Sequence, residues 1–256
     1  MPHLSFILKG LLDLTSQVDL DGLVSVLEEF VEAFSEHLAP FSIELCQRLS
    51  DIYLHLLEDV VMYQQADDNS KDTLNKEESL NSKIITAMSV LDTIQLLVLQ
   101  LKDHVDTLYQ IEILLLPVIQ CTIESRAFAF YNEIYELIGF CVLSSKRVSP
   151  TIWLAFELCY KDFKGDKEGL QYYATQMVPS LYNFITFSKD EFIGNEQIKY
   201  AMLDIVDTCM NSEDLNEGEK VPTCRLIESM LLNCREEMDQ VSLWTYAYID
   251  HCTHIL

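Results

Sequence analysis

The sequence predicts an all-α fold, a right-handed α-solenoid of about five antiparallel helix pairs preceded by an initial helix. Three observations lead there. Stretches of apolar residues at helical spacing come in pairs split by a short break, and the pair recurs at intervals of roughly 40–50 residues, the period of a two-helix solenoid. Only 7 glycines and 6 prolines occur in 256 residues, too few for the turns of a sandwich or barrel. The chain is 49% hydrophobic, 10% aromatic and 23% charged, the composition of a folded protein. One helix pair cannot bury its own apolar face. Neighbouring pairs must stack, and the result is a shared core with a long surface rather than a closed pocket.

The elements follow in order. A first helix is expected over residues 4–17. Asp19 and Asp21 can cap the next, which runs to about residue 38 with Leu23, Leu27, Phe30 and Phe34 on one face. Pro40 suits the first turn of a helix over 41–62. Residues 64–82 are polar and charged without apolar periodicity, and read as a flexible acidic loop inserted between repeats. Helices over 83–101 and 105–125 form the next pair, and Pro117 should kink or shift the second. Residues 127–144 and 150–163 come next, with Ser149 as cap and Pro150 as first helical residue. The fourth pair covers 168–187, with Pro179 inside it, and 195–211. An acidic loop over 212–221 leads to helices over 222–236 and 239–255.

First helices then start near positions 22, 83, 127, 168 and 222. Once the inserted loop is removed, the steps fit the ~40–47 residues of HEAT and armadillo repeats rather than the tetratricopeptide period of 34. Two helices per unit favour HEAT. The whole of 1–256 therefore reads as a single solenoid segment. Its ends are apolar, where a solenoid needs polar capping repeats, so a piece of a longer solenoid is expected.

Asp and Glu outnumber Lys and Arg 41 to 17, a formal net charge of −24. A field of that sign repels phosphate backbones and anionic lipid and attracts basic proteins, so no direct nucleic-acid partner is expected. The longest apolar runs, 111–119 and 94–99, fall short of the ~20 residues that span a bilayer, so no membrane insertion is expected. The opening Met1-Pro2-His3-Leu4 lacks the charged and apolar regions of a secretory signal. The eight cysteines form no C-x-x-C pair and read as reduced, packed thiols of the cytosol or nucleus.

Several stretches resemble the middle of the importin-β superfamily of nuclear transport receptors, in the branch of importins seven and eight and their fungal relatives. They are Leu38-Ala39-Pro40 through Glu58, Thr86-Ala87-Met88-Ser89-Val90-Leu91-Asp92-Thr93-Ile94 and Phe130-Tyr131-Asn132-Glu133-Ile134-Tyr135. Val148-Ser149-Pro150-Thr151-Ile152-Trp153 and the stretch from Tyr172 to Thr186, with Met177-Val178-Pro179-Ser180-Leu181 inside it, complete the set. The resemblance covers most of the chain and lies in the order and spacing of these stretches. It implies a HEAT superhelix that carries basic cargo, ribosomal-protein or histone-like, between cytoplasm and nucleus. It also implies contact with Phe-Gly nucleoporins and release by Ran-GTP. In the family the second helix of each repeat lines the inner, cargo-facing surface. The Ran-contacting repeats lie near the family's amino terminus, and no equivalent occurs here, so Ran-GTP is expected to bind outside this segment. No cofactor is implied.

Binding residues can be read from the helix over 41–62. At ~100° per residue, Leu45, Leu49, Ile52, Leu56 and Val60 share one face, while Glu44, Asp51 and Glu58 fall opposite, joined by Gln47 and His55. On an inner helix this acidic stripe would attract Lys- and Arg-rich segments. Glu112, Glu157, Asp204 and Asp207 on later second helices extend the set. His251 and His254 could share a face, but no second cluster completes a metal site. No glycine-rich phosphate loop, G-x-S-x-G turn or H-E-x-x-H pair occurs, so no catalytic role is expected. A non-catalytic HEAT scaffold for assembling a protein complex is the alternative to cargo transport.

Overall fold

The computed structural model describes residues 10, 20–34, 37–65, 73–166 and 169–234. The helices expected over 4–17 and 239–255, with His251, Cys252 and His254, lie outside them. Among the described residues every element is helical and none is a strand. The chain divides into two compact units, residues 1–144 and 145–256.

The first unit holds α1 (Leu20–Ala33), α2 (Ser42–Gln65), α3 (Thr73–Gln100), α4 (Val105–Glu124) and α5 (Tyr131–Ser145), whose last residue opens the second unit. First helices pack on first helices, α1 on α3; second helices pack on second helices, α2 on α4; and α3 also lies along α2. This is the stacking of HEAT-type pairs. The apolar positions of each helix meet in one core: Leu45, Leu49 and Val60 of α2, Val90, Leu91 and Ile94 of α3, and Leu108, Ile111 and Leu115 of α4 are all fully buried. Tyr53 locks the layers. Its hydroxyl shares a 2.8 Å hydrogen bond with Thr122 Oγ1, and its ring meets Phe130 edge-on at 5.6 Å.

One expectation changes here. Residues 64–65 and 73–82 of the expected loop are helical, and 66–72 lie outside the described residues. The reason lies in composition: Leu74, Lys76, Glu77, Glu78 and Leu80 are good helix formers, and an apolar-periodicity test overlooks a helix end that projects past its core. The α3 turn so added ends at Lys83, which pairs with Asp59 of α2. Pro117 lies inside α4, which is continuous from Val105 to Glu124, on its exposed side. Residues 77–100 of α3 and the whole of α4 are long and apolar enough by composition to cross a bilayer. In this fold about half of each stretch is buried in the core, while Ile85 of α3 and Val105 and Ile113 of α4 are exposed. The chain leaves α4 through Arg126, at φ 53°, with Ala127 N–H donating to Thr122 O and Arg126 N–H to Ile123 O, a Schellman ending built on a non-glycine residue.

The second unit contains α6 (Pro150–Gly165), α7 (Val178–Phe187), α8 (Lys189–Gly194), α9 (Glu196–Asn211) and α10 (Glu217–Cys234). Ser149 caps α6 as expected, its Oγ accepting from Ile152 N–H at 3.2 Å, with Pro150 at the first position. Asn195 caps α9. The helix expected over 168–187 is broken up. A single turn, Leu170–Tyr172, passes into a π-helical segment, Tyr173–Met177, before α7 begins. Pro179 has no N–H to give Thr175, and the widened turn is where Val178 N–H bonds back to Tyr173 O instead. An aromatic cluster, Trp153 and Phe156 against Phe184 at 5.4 and 5.8 Å, joins α6 to α7, and α7 lies along α10.

Candidate partner-binding surface

The stripe on α2 starts from helix geometry. With Leu45, Leu49, Leu56 and Val60 buried and Ile52 half-buried, the opposite side faces solvent. Glu44, Asp51 and Glu58 are all exposed there, as are Gln47 and His55. Gln47 donates to Asp51 at 2.9 Å and orients that carboxylate along the helix. Arg48, which the sequence reading passed over, is also exposed, four residues after Glu44 and three before Asp51, and it lowers the net charge of the stripe at its amino-terminal end.

The remaining acids separate. Glu112 is 1% exposed and lies in the core of the first unit, where its charge helps burial raise the Cys141 thiol. It is not on an accessible face, which corrects its place among the candidates. Half of α4 packs against neighbours, and the wheel alone does not tell which half. Glu157 is exposed on α6. Asp204 is occupied within the chain: it accepts from the Tyr160 hydroxyl at 2.9 Å and forms a 2.9 Å ion pair with Lys164. The hydrogen bond from Lys164 Nζ to Asp204 Oδ1 at 3.1 Å, and after it the nearby charge of Asp204, raises the Lys164 ammonium. Asp207 accepts from Asn211 at 2.9 Å and lines a cleft of about 360 Å³ in the second unit, with Asp166 and Asp214.

A further acidic group lies on the first helices and was not singled out in the sequence. Asp92 of α3 is held above the ordinary carboxylate range by partial desolvation, then by the charges of Glu28 of α1 and Glu136 of α5. Glu133 of α5 is raised by desolvation, with Asp92 and Glu136 adding to it. Twenty-eight to 136 is too long a separation for any local pattern to reveal. The described thiols carry no reactive signature. Burial pushes Cys46 and Cys209 up to about 12, and of the described cysteines only Cys121 is exposed.

The chain is 24% identical to Importin-8 of Homo sapiens over 237 residues, 91% of this chain and 20% of that protein. It is 23% identical to a probable importin-7 homolog of Dictyostelium discoideum over 241 residues, 93% of this chain and 21% of that protein. It is 23% identical to nonsense-mediated mRNA decay protein 5 of Saccharomyces cerevisiae over 212 residues, 83% and 20%. These similarities support membership of the importin-β superfamily. It spans about a fifth of the length of the curated relatives it matches. No protein-family model and no solved structure matches it. The α2 stripe, Glu157 and Asp207 belong to second helices, while Asp92, Glu28 and Glu136 belong to first helices.

Proposed function

We propose that this chain is a segment of a nuclear transport receptor whose second helices bind basic protein cargo, of ribosomal-protein or histone-like character. In the longer receptor, cargo is released by Ran-GTP through other regions, and the receptor shuttles between cytoplasm and nucleus. The role is non-catalytic. The observation that carries the reading is the exposure of Glu44, Asp51 and Glu58 along one face of α2, in a chain of net charge −24 similar to importins. The seven-residue spacing holds three carboxylates in one row, and a row of that kind captures an extended Lys- and Arg-rich segment by many weak contacts. On the first-helix side, a groove of about 480 Å³ between Ser25 of α1 and Asn81, Ile85 and Ser89 of α3 supports contact with the phenylalanine of a Phe-Gly nucleoporin, since Ile85 and nearby Val26 are exposed apolar side chains.

Titration of a fluorescent Lys/Arg-rich peptide against the chain at rising salt tests the cargo reading. Exposed ion pairs are worth about 0.5 kcal/mol each, so Glu44→Gln, Asp51→Asn and Glu58→Gln together are expected to weaken binding roughly tenfold. Wild-type affinity should fall steeply between low and physiological salt. Affinity that ignores both salt and the triple substitution would remove the reading.

A further inference from the structure

The cleft in the second unit joins two features that the α2 stripe lacks, apolar lining side chains and a concave wall that carries carboxylates. Phe163 of α6 and Leu170 of the following turn line it together with Asp207 and Asp214, and with Asp166, which is nearly buried. It opens where α6 and α9 both end, so the carbonyls of two helix C-termini add partial negative charge. The last turn of α9 carries no basic residue to offset them. Lys164, the cation at this edge, has its ammonium on Asp204, one turn before Asp207. Asp166 is held by close approach: a Cβ on Gly169 would lie 2.5 Å from its Oδ2 and 3.2 Å from the Tyr173 ring, so only glycine leaves that carboxylate where it is.

We propose that this cleft seats one lysine or arginine side chain of a protein partner, its aliphatic stem against Phe163 and Leu170 and its charged head between Asp207 and Asp214. The occupant follows from charge complementarity and from the mixed wall. An apolar ligand would leave the carboxylates of Asp207 and Asp214 in the cleft wall without a cationic partner from it, and a small inorganic cation would leave Phe163 and Leu170 without a contact. A long side chain with a methylene stem and a cationic tip satisfies both surfaces. The inference rests on the reading that the chain captures basic proteins, and it adds a discrete pocket to a surface otherwise made of scattered charges.

The test uses the intact chain and a lysine-rich peptide, with dissociation constants read by fluorescence anisotropy. Asp207→Asn with Asp214→Asn is expected to weaken binding about tenfold or more. Glu191→Gln with Glu228→Gln removes the same charge from exposed sites elsewhere in the unit and is expected to cost less than about threefold, as isolated surface charges do. Thr208→Phe fills the cleft without changing its charge and should weaken binding comparably to the aspartate pair, with helicity and melting temperature retained. Equal effects of the two charge pairs, or a Thr208→Phe chain that binds like wild type, would overturn the pocket while leaving the cargo reading intact. A wild-type chain that captures no basic peptide would overturn both.

Discussion

Single side chains in this protein are governed by where burial meets like charge. Asp92 shows it most clearly. Its carboxyl is raised by desolvation first and by Glu28 and Glu136 second, so the folded chain holds its proton more tightly than the unfolded chain does. The sign follows from linkage. A carboxyl raised by folding destabilises the native state once ionised, the penalty is fully present above the folded value, and it fades as pH falls toward the unfolded value of about 3.9. Asp92→Asn is therefore expected to raise the melting temperature at pH 7, with the advantage shrinking as the buffer is taken toward pH 4. Thermal melts of the two chains at both pH values check this, and an asparagine variant less stable at neutral pH would contradict it. Residue-level function was only partly legible in the sequence for a related reason. The wheel on α2 separated Glu44, Asp51 and Glu58 from the core because its apolar side is continuous. On α4, nearly uniform in apolar character, the same method left Glu112 among solvent-facing acids when it belongs to the core.

At the scale of elements, helix existence was legible and helix ends were not. Every described helix longer than one turn except α8 matches an apolar-periodic stretch, because one buried stripe per helix is what stacking requires. Ends depend on hydrogen bonds to particular backbone groups. The start of α10 illustrates the point: an acidic loop is expected over 212–221, yet the helix begins at Glu217. Asn216 Oδ1 accepts from Glu219 N–H at 3.1 Å, and Glu219 Oε2 accepts from Asn216 N–H at 2.9 Å, a reciprocal capping box that pulls acidic residues into the first turn, where the helix dipole favours them. Asn216→Ala is expected to cost about 1 kcal/mol of unfolding free energy. Urea titration followed by circular dichroism reads this directly, and no loss would mean that the helix is set by packing alone. The short α8 had no such local clue. Ser188, just before it, spends its hydroxyl on Val148 N–H at 3.0 Å, forty residues away, and a bond of that separation has no pattern in sequence.

For the molecule as a whole, charge acts on folding and on binding in opposite directions. Forty-one acids against 17 bases leave each unit repelling itself, and the raised carboxyls of the exposed Asp92 and the half-buried Glu133 show some of this repulsion between neighbouring helices. The excess was plain from composition, whereas its division between a first-helix group and a second-helix stripe emerged only once α1 stacked on α3 and α2 on α4. Salt screens exposed charges over a Debye length of about 10 Å at 0.1 M, comparable with the spacing of neighbouring helices. Raising sodium chloride from about 0.02 to 0.3 M should therefore raise the melting temperature of the free chain by relieving repulsion, while the affinity for a basic peptide falls over the same range. The two measurements share one cause and must move apart. A chain stabilised by salt whose peptide binding is unaffected would show that the acids serve solubility alone, and a chain whose melting temperature drops with salt would show that attractive ion pairs such as Lys164–Asp204 outweigh the excess of like charge.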